Sequence, residues 1–282
     1  MKKIISMVLA AVLTLSSSAF AYTDYEETPE TRLLSTLGIM SGYDENTFAP
    51  NDTLTRSQMV KIIVEAFGYG KKITAVDTEG KGFEADESFS DLNKNSWAYP
   101  YWQCAIYDMK IINGFEDGTV HPDDNVTYEQ LIKMFVSALG YDKIAEENGG
   151  YPSGDLGWGS KNGISKRGSL AFGENVIRKN AAVITADTLR AAMYSSDQDT
   201  NTPVFLMNTM NLYEAEITVQ SVEDNKAKLK IDRAFNFDGK NYEESENMLV
   251  DVSLNGAELK NGEKYKVIIE KTDADYSIKF VY

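Results

Sequence analysis

The chain has one cysteine and one histidine in 282 residues. With Cys104 alone no internal disulfide can form, although an exported protein would be free to use one. A lone Cys and a lone His also leave no Cys/His zinc cluster, and any histidine-based triad would rest on the loop residue His121. Cys104 falls in an apolar helical segment and reads as a small buried hydrophobe. Basic residues are scarce: 28 Lys and Arg against 43 Asp and Glu give a formal net charge of −15. Such a surface repels nucleic acid and anionic lipid. An anionic polymer could be held only by a few locally placed cations, acting within a Debye length of about 8 Å. Individual arginines therefore matter. Long apolar runs are missing too. The run from Ile4 to about Leu15 is short of the roughly 18–20 residues that span a bilayer. It follows Lys2 and Lys3 and precedes Ser16 to Ser18 and Ala19-Phe20-Ala21, the pattern of a secretory signal peptide cleaved after Ala21. The mature chain, at about −17 without those two lysines, is expected to be soluble and outside the cytoplasm.

What is present is a globular composition, 43% hydrophobic and 25% charged, with an internal repeat. Leu37 to Tyr69, LGIMSGYDENTFAPNDTLTRSQMVKIIVEAFGY, overlays Met109 to Tyr141, MKIINGFEDGTVHPDDNVTYEQLIKMFVSALGY, without a gap and with 12 identities in 33 positions. Each copy reads as an apolar segment ending near Gly42 or Gly114, a turn rich in Gly, Asp and Asn, and a helix opening at Thr. In that helix Met59, Ile62, Ile63, Ala66 and Phe67, and likewise Leu131, Met134, Phe135, Ala138 and Leu139, form one apolar stripe. A lone hairpin cannot bury such a stripe, so the copies must pack on one another.

The helix starts LTRSQ (Leu54 to Gln58), VTYEQ (Val126 to Gln130) and VIRKN (Val176 to Asn180) separate two roles. Thr55 with Gln58, and Thr127 with Gln130, are capping boxes, each cap contributing about 1 kcal/mol. Arg56 has no such explanation. A cation in the first helical turn opposes the helix dipole by about 0.3–1 kcal/mol, yet beside exposed amides it suits a docking carboxylate or phosphate. A solvated or locally paired arginine is the alternative. Arg178 fills the same slot in a looser third copy, Gly150 to Tyr194. That copy has Ile177 for the capping Thr and Asn180 for Gln, and aligns Gly163-Ile164 with Gly38-Ile39.

These motifs resemble the surface-layer homology (SLH) family. The second copy carries FSDL (Phe89 to Leu92), WAYPYWQCAI (Trp97 to Ile106), IINGFEDGTVHP (Ile111 to Pro122) and VTYEQ in the family's order. The first copy matches from Leu33 onward, without an F-x-D or W-A opening. The resemblance covers about residues 30 to 195. It implies three motifs in a pseudo-threefold, mostly helical prism, with grooves that hold the anionic, pyruvylated secondary polysaccharide of a Gram-positive-type wall. Carried over by position, it nominates Arg56 and Arg178 as carboxylate partners, Asp91 as a sugar-hydroxyl acceptor, Trp97 as an apolar wall, and Gly42 and Gly114 as points of close backbone approach. Tyr128 stands where the second copy should have Arg. The third copy lacks clear F-x-D and W-A blocks, and Arg167 or Gly168 falls at its loop Gly, so at most two grooves are expected to hold an anion. Trp97 could equally be core, Asp91 a helix cap, and the glycines a need of the turn. Neither loop, Asp44 to Asn46 or Glu116 to Gly118, has the ligand pattern of an EF-hand.

After the polar stretch Asp197 to Thr202, read as a linker, the periodicity changes. Tyr213–Val222, Ala227–Ile231, Met248–Leu254, Tyr265–Ile269 and Ser277–Val281 read as strands of a five-stranded barrel or sandwich. An oligosaccharide-binding barrel is one topology open to it, without a function following. The expected organisation is a signal peptide over 1–21, motifs over 22–76, 77–142 and 143–200 (the last degenerate), and a β-domain over 201–282, in a fold class mainly α. The expected function is a non-enzymatic envelope protein, at the cell surface, docked on secondary cell-wall polysaccharide. The alternative is a scaffold for other envelope or S-layer proteins without glycan binding. No cofactor, metal, nucleic acid or transmembrane segment is expected, and an enzyme of wall metabolism would need grouped carboxylates that the β-domain does not show.

Overall fold

The computed structural model describes residues 22–73, 89–194, 204–234, 236–237, 242–273 and 275–282. The expected signal peptide over 1–21 and the expected linker over 197–202 lie outside them. Among the described residues the helices before the first strand include α1 Pro29–Thr36, α2 Arg56–Ala66, α3 Tyr99–Gln103, α4 Tyr128–Ala138, α5 Asp142–Glu147, α6 Ser153–Lys161, α7 Arg178–Thr188 and α8 Leu206–Thr209. Then come β1 Leu212–Glu223, β2 Lys226–Ala234, α9 Tyr242–Ser245, β3 Leu249–Ser253, β4 Lys264–Lys271 and β5 Tyr276–Val281. Helix α3 runs on into a π-helical turn, Cys104–Asp108, closed by the Met109 amide on the Cys104 carbonyl at 2.9 Å.

The three repeats meet in a closed ring of main-chain hydrogen bonds. Leu54 N–H donates to Val176 O (3.0 Å), Val176 N–H to Val126 O (3.0 Å), and Val126 N–H to Leu54 O (2.9 Å). All three side chains are fully buried. Each is the residue before a helix cap, so the ring satisfies amides and carbonyls that would otherwise be orphaned at the centre of the module. Around it each motif's opening helix leans on the second helix of the preceding motif: α3 on α2, α6 on α4, and α1 on α7. That is how the stripes on α2 and α4 are buried, with Met59, Ile63, Leu131 and Phe135 at or near zero exposure.

The caps divide as their side chains require. At Thr55 the hydroxyl accepts from Gln58 N–H (3.2 Å) and Gln58 Oε1 accepts from Thr55 N–H (2.9 Å). At Thr127 the reach-back by Gln130 is made at 3.2 Å, and the hydroxyl also donates to Glu129 Oε1 at 2.7 Å. Ile177 makes no side-chain cap. Thr55→Ala is therefore expected to cost about 1 kcal/mol, a melting point lower by roughly 2–4 °C for a chain of this size, whereas Ile177→Ala removes no cap. Thermal melts of the two variants check this.

The C-terminal strands close into a barrel in the order β1-β2-β3-β5-β4, antiparallel except for β3 beside β5. All five strand readings from the sequence fall within or overlap these elements. The fold class needs correction: with 33% helix, 21% strand and a closed five-stranded barrel, the chain is not mainly α. The helical reading came from the repeats, which occupy most of the chain but spend many residues in the long structured loops between their helices.

The barrel has its own core, including Ile217, Leu229, Ile231, Phe237 and Val267. Its other face joins the helical core through Leu212, Ile268 and Phe280, with Leu206 and Met207 of α8 in the same cluster. Arg190, just beyond α7, donates to Glu214 Oε1 from Nε (2.9 Å) and Nη2 (2.7 Å), and Lys266 Nζ lies 3.0 Å from Glu214 Oε2. The Tyr282 hydroxyl also donates to Glu214. Burial pushes the Glu214 carboxyl up, but the hydrogen bonds and charge of Arg190, with Tyr282 and Lys266, outweigh it and hold the group below the usual carboxylate range. A carboxyl more acidic in the folded than in the unfolded chain stabilises above its unfolded pKa, and that contribution is lost as pH falls through the folded value. The urea midpoint of the whole chain is therefore expected to fall as pH drops below about 4.5, the ordinary value of a glutamate, and Glu214→Gln should flatten that part of the profile.

Candidate functional site

The first helical turns of α2 and α7 place their arginines alike. Arg56 is 6% exposed and Arg178 5%. Arg56 Nε donates to Val120 O (2.7 Å) and Nη1 to Gln130 Oε1 (3.3 Å). Arg178 Nε donates to Phe48 O (2.7 Å) and Nη2 to Ser41 O (2.7 Å). Val120 and Phe48 are equivalent positions 72 residues apart, so each arginine pins the loop of the next motif in the same way. Aromatic rings floor both: Phe115 lies 4.9 Å below Arg56, and Tyr43 (4.2 Å) and Phe48 (5.0 Å) below Arg178. Neither guanidinium is in a salt bridge with a carboxylate among the described residues. Burial lowers the proton affinity of Arg56, opposed by the charges of Asp124 and Asp91; burial lowers that of Arg178, opposed by Tyr43 and Asp52. Both remain cations at any physiological pH. Among the described residues Nη2 of Arg56 has no hydrogen-bond partner.

The other sequence-derived candidates are distributed around these two points. Tyr128, in the arginine slot of α4, is buried in the apolar core, and its N–H donates to Glu174 O at 2.9 Å. The next residue, Glu129, accepts from Gly173 N–H at 2.9 Å, so this third interface is acidic where the others are basic. Asp91 accepts from Val120 N–H (3.0 Å) and His121 N–H (2.7 Å); it ties down the loop that Arg56 grips and does not cap a helix. Behind it lies a cavity of about 140 Å³ lined in part by Asp91, Trp102 and Asp123. Trp102 Nε1 donates to Ser57, the neighbour of Arg56, at 3.0 Å. Trp97 is not core: it is 57% exposed and edge-on to Tyr101 at 6.3 Å. The glycines answer to packing inside their own motifs. A Cβ on Gly42 would lie 2.4 Å from Tyr22 Cε1, and one on Gly114, at φ +72°, 2.2 Å from Phe89 Cε1. Arg167 is paired with Glu30 (2.6 Å) and Asp187.

One element escaped the sequence. The first copy does have an F-x-D equivalent, Tyr22-Thr23-Asp24. Asp24 accepts from Phe48 N–H (2.9 Å) and Ala49 N–H (2.7 Å), matching Asp91 on Val120 and His121. Thr23 N–H donates to Asn46 O as Ser90 N–H does to Gly118 O. The opening lies 20 residues before Gly42, against 25 between Phe89 and Gly114, so an ungapped overlay passes it by. The signal available was an aromatic two residues before Asp, upstream of a helix capped by Thr28.

Comparison with known proteins supports the resemblance. The sequence model of the S-layer homology domain matches residues 32–60 and 88–132. This chain carries S-layer homology (SLH) domain sequence over those two segments. It is 29% identical over 178 residues to the "Surface layer protein" of Brevibacillus choshinensis, covering 59% of this chain and 15% of that one. Against the "Middle cell wall protein" of Brevibacillus brevis it is 24% identical over 202 residues, 67% of this chain and 18% of the relative. An "Endoglucanase" of a Bacillus species shares 32% identity over 132 residues, 44% of this chain and 12% of that enzyme. The SLH chain thus aligns with less than a fifth of the length of each of these relatives. No helix among the described residues is long and apolar enough to cross a membrane.

Proposed function

We propose that this SLH protein is an exported envelope component that docks non-covalently on anionic, pyruvylated secondary wall polysaccharide, using the Arg56 and Arg178 interfaces as its two anion sites. The observation that carries the reading is the pair of equivalent, ring-floored guanidiniums without a carboxylate partner, in a chain of net charge −15. The first amides of α2 and α7 are spent on the carbonyls of Asp124, Pro122, Asp52 and Pro50, so the guanidiniums themselves carry the attraction; a cation already held in place can meet a carboxylate at little cost in ordering. Asp91 and Asp24 hold the loops that floor those sites, Trp97 offers an exposed apolar face, and Gly42 and Gly114 allow the loops their close packing. Tyr128 with Glu129 makes the third interface unsuited to an anion, which leaves two. The relatives named as surface-layer and cell-wall proteins agree with a place at the bacterial surface. The stretch shared with the endoglucanase is too small a part of that protein to bring an enzymatic activity with it.

Co-sedimentation with purified wall sacculi tests the proposal. The chain is expected in the pellet with intact sacculi, and in the supernatant once the secondary polysaccharide has been stripped. Pelleting with both would favour a second reading, a scaffold for envelope proteins in which the guanidiniums serve only the loops. That reading draws on one observation: three of the four hydrogen bonds of Arg56 and Arg178 already go to main-chain carbonyls.

A further inference from the structure

The two arginine sites are built alike but differ at one loop position. Residues 49 and 121 lie 72 apart in the repeat, and both hold the left-handed conformation, φ 54° at Ala49 and 49° at His121. Each donates its N–H to the aspartate of its own motif, Ala49 to Asp24 at 2.7 Å and His121 to Asp91 at 2.7 Å. The Arg178 site thus carries a methyl group where the Arg56 site carries an imidazole, the only one in the chain.

That imidazole is one peptide unit from the guanidinium. The Val120 carbonyl that accepts from Arg56 Nε and the His121 N–H belong to the same peptide group. The His121 ring stands edge-on to Phe115, centroids 4.7 Å apart, on the ring that floors Arg56. Carboxylates flank it on both sides: Nε2 is 3.5 Å from Asp117 Oδ2 and Nδ1 is 3.7 Å from Asp124 Oδ2. The Thr119 hydroxyl gives its hydrogen to Asp117, so its 3.0 Å contact with Nε2 is made by a hydrogen on that nitrogen. Nδ1, facing Asp124, is left to take up a proton. Asp124 is, after burial, the strongest influence on the Arg56 guanidinium, ahead of Tyr151 and Asp91. Glu116, Asp117, Asp123 and Asp124 are all exposed on this loop, and each repels an anion that Arg56 attracts. An imidazolium at position 121 offsets the two it touches, whereas a neutral imidazole offsets none.

Resting on the glycan reading above, we infer that His121 is a second cationic group of the Arg56 site, a residue that when protonated neutralises Asp117 and Asp124 and so tightens the hold on an acidic sugar. The Arg56 site then takes up a proton with its ligand and the Arg178 site, with Ala49 in that place, does not. Histidine changes charge between about pH 5 and 8, above the ordinary carboxylate range, so the window separates the imidazole from the carboxylates around it. The protonated form is the better anion binder, so affinity rises as pH falls and binding draws protons from the buffer.

The test uses residues 22–282 and a pyruvylated hexosamine, titrated calorimetrically at low salt. In an Arg178→Ala background only the Arg56 site reports, and affinity is expected to rise about 5-fold between about pH 7.5 and about pH 5.5. Near pH 6.5 the heat should vary with the ionisation enthalpy of the buffer, showing uptake of part of a proton. Adding His121→Asn, a residue that tolerates the left-handed backbone, should remove both the slope and the uptake. In an Arg56→Ala background affinity should change by less than about twofold over the same range. Adding Ala49→His to that background should install the slope, because Glu45 and Asp52 stand where Asp117 and Asp124 do. A flat profile in the Arg178→Ala background, with Arg56→Ala still harmful, overturns the inference and leaves the glycan reading standing. A slope that survives His121→Asn also overturns it. Indifference to both arginines at every pH removes the glycan reading and the inference together.

Discussion

Residues 22–200 expressed without the barrel are expected to melt at least 15 °C below the full chain, or without a cooperative transition. Truncation strips the helical core of Leu206, Met207, Leu212, Ile268 and Phe280, which it shares with the barrel. Burying one large apolar side chain contributes about 1.5–3 kcal/mol, and a domain's whole stability is about 5–15 kcal/mol, so losing five such contacts removes most of the margin. The cut also removes Glu214, the ion-pair partner of Arg190. A gentler form of the experiment is Phe280→Ala, expected to cost about 3–5 kcal/mol and to lower protection from hydrogen exchange in α1, against which β5 packs. If the truncated chain melts within a few degrees of the full one, the barrel is an independent passenger and the shared core is not a source of stability.

The second large effect concerns binding. Arg56→Ala combined with Arg178→Ala is expected to reduce binding to wall polysaccharide by at least 100-fold. A hydrogen bond to a charged group contributes about 1.5–3 kcal/mol, roughly 10-fold or more per site, and two sites on one polymer multiply through effective concentration. Each single variant should fall in between. Lysine at either position keeps the charge but not the planar fork, so Arg56→Lys should bind better than Arg56→Ala and worse than the parent. The substitutions also orphan the carbonyls of Val120 and Phe48, at about 1–3 kcal/mol each. Binding is therefore to be compared well below each variant's melting point, with circular dichroism confirming that the chain is folded.

The repeats were legible because their apolar stripes, capping boxes and Gly-Asp-Pro turns recur at a fixed spacing of 72, and the helices α2 and α4 follow from that pattern. So were the barrel strands, whose alternation and Asn-Gly turns are local signals. The ring joining Leu54, Val126 and Val176 was not legible: it is a main-chain contact between segments far apart in the chain, and the pattern says only that each position is apolar. The arginines were legible as misfits with the helix dipole. That their Nε groups grip the next motif's loop was not, since no sequence term links Arg56 to Val120 or Arg178 to Phe48. Asp24 was hidden for a simpler reason. Its motif is shortened around it, and only the hydrogen bonds from Phe48 and Ala49 restore the alignment. Trp97 could be read either as core or as wall until its exposure was known.

The claim on which the rest depends is that an acid group on the glycan is what the two guanidiniums hold. Titrating residues 22–282 with the wall polysaccharide before and after mild acid removal of its pyruvyl groups measures this most directly. The expected result is saturable binding that weakens with salt before the treatment and loses at least 100-fold after it. Equal affinity for the two preparations would contradict the account.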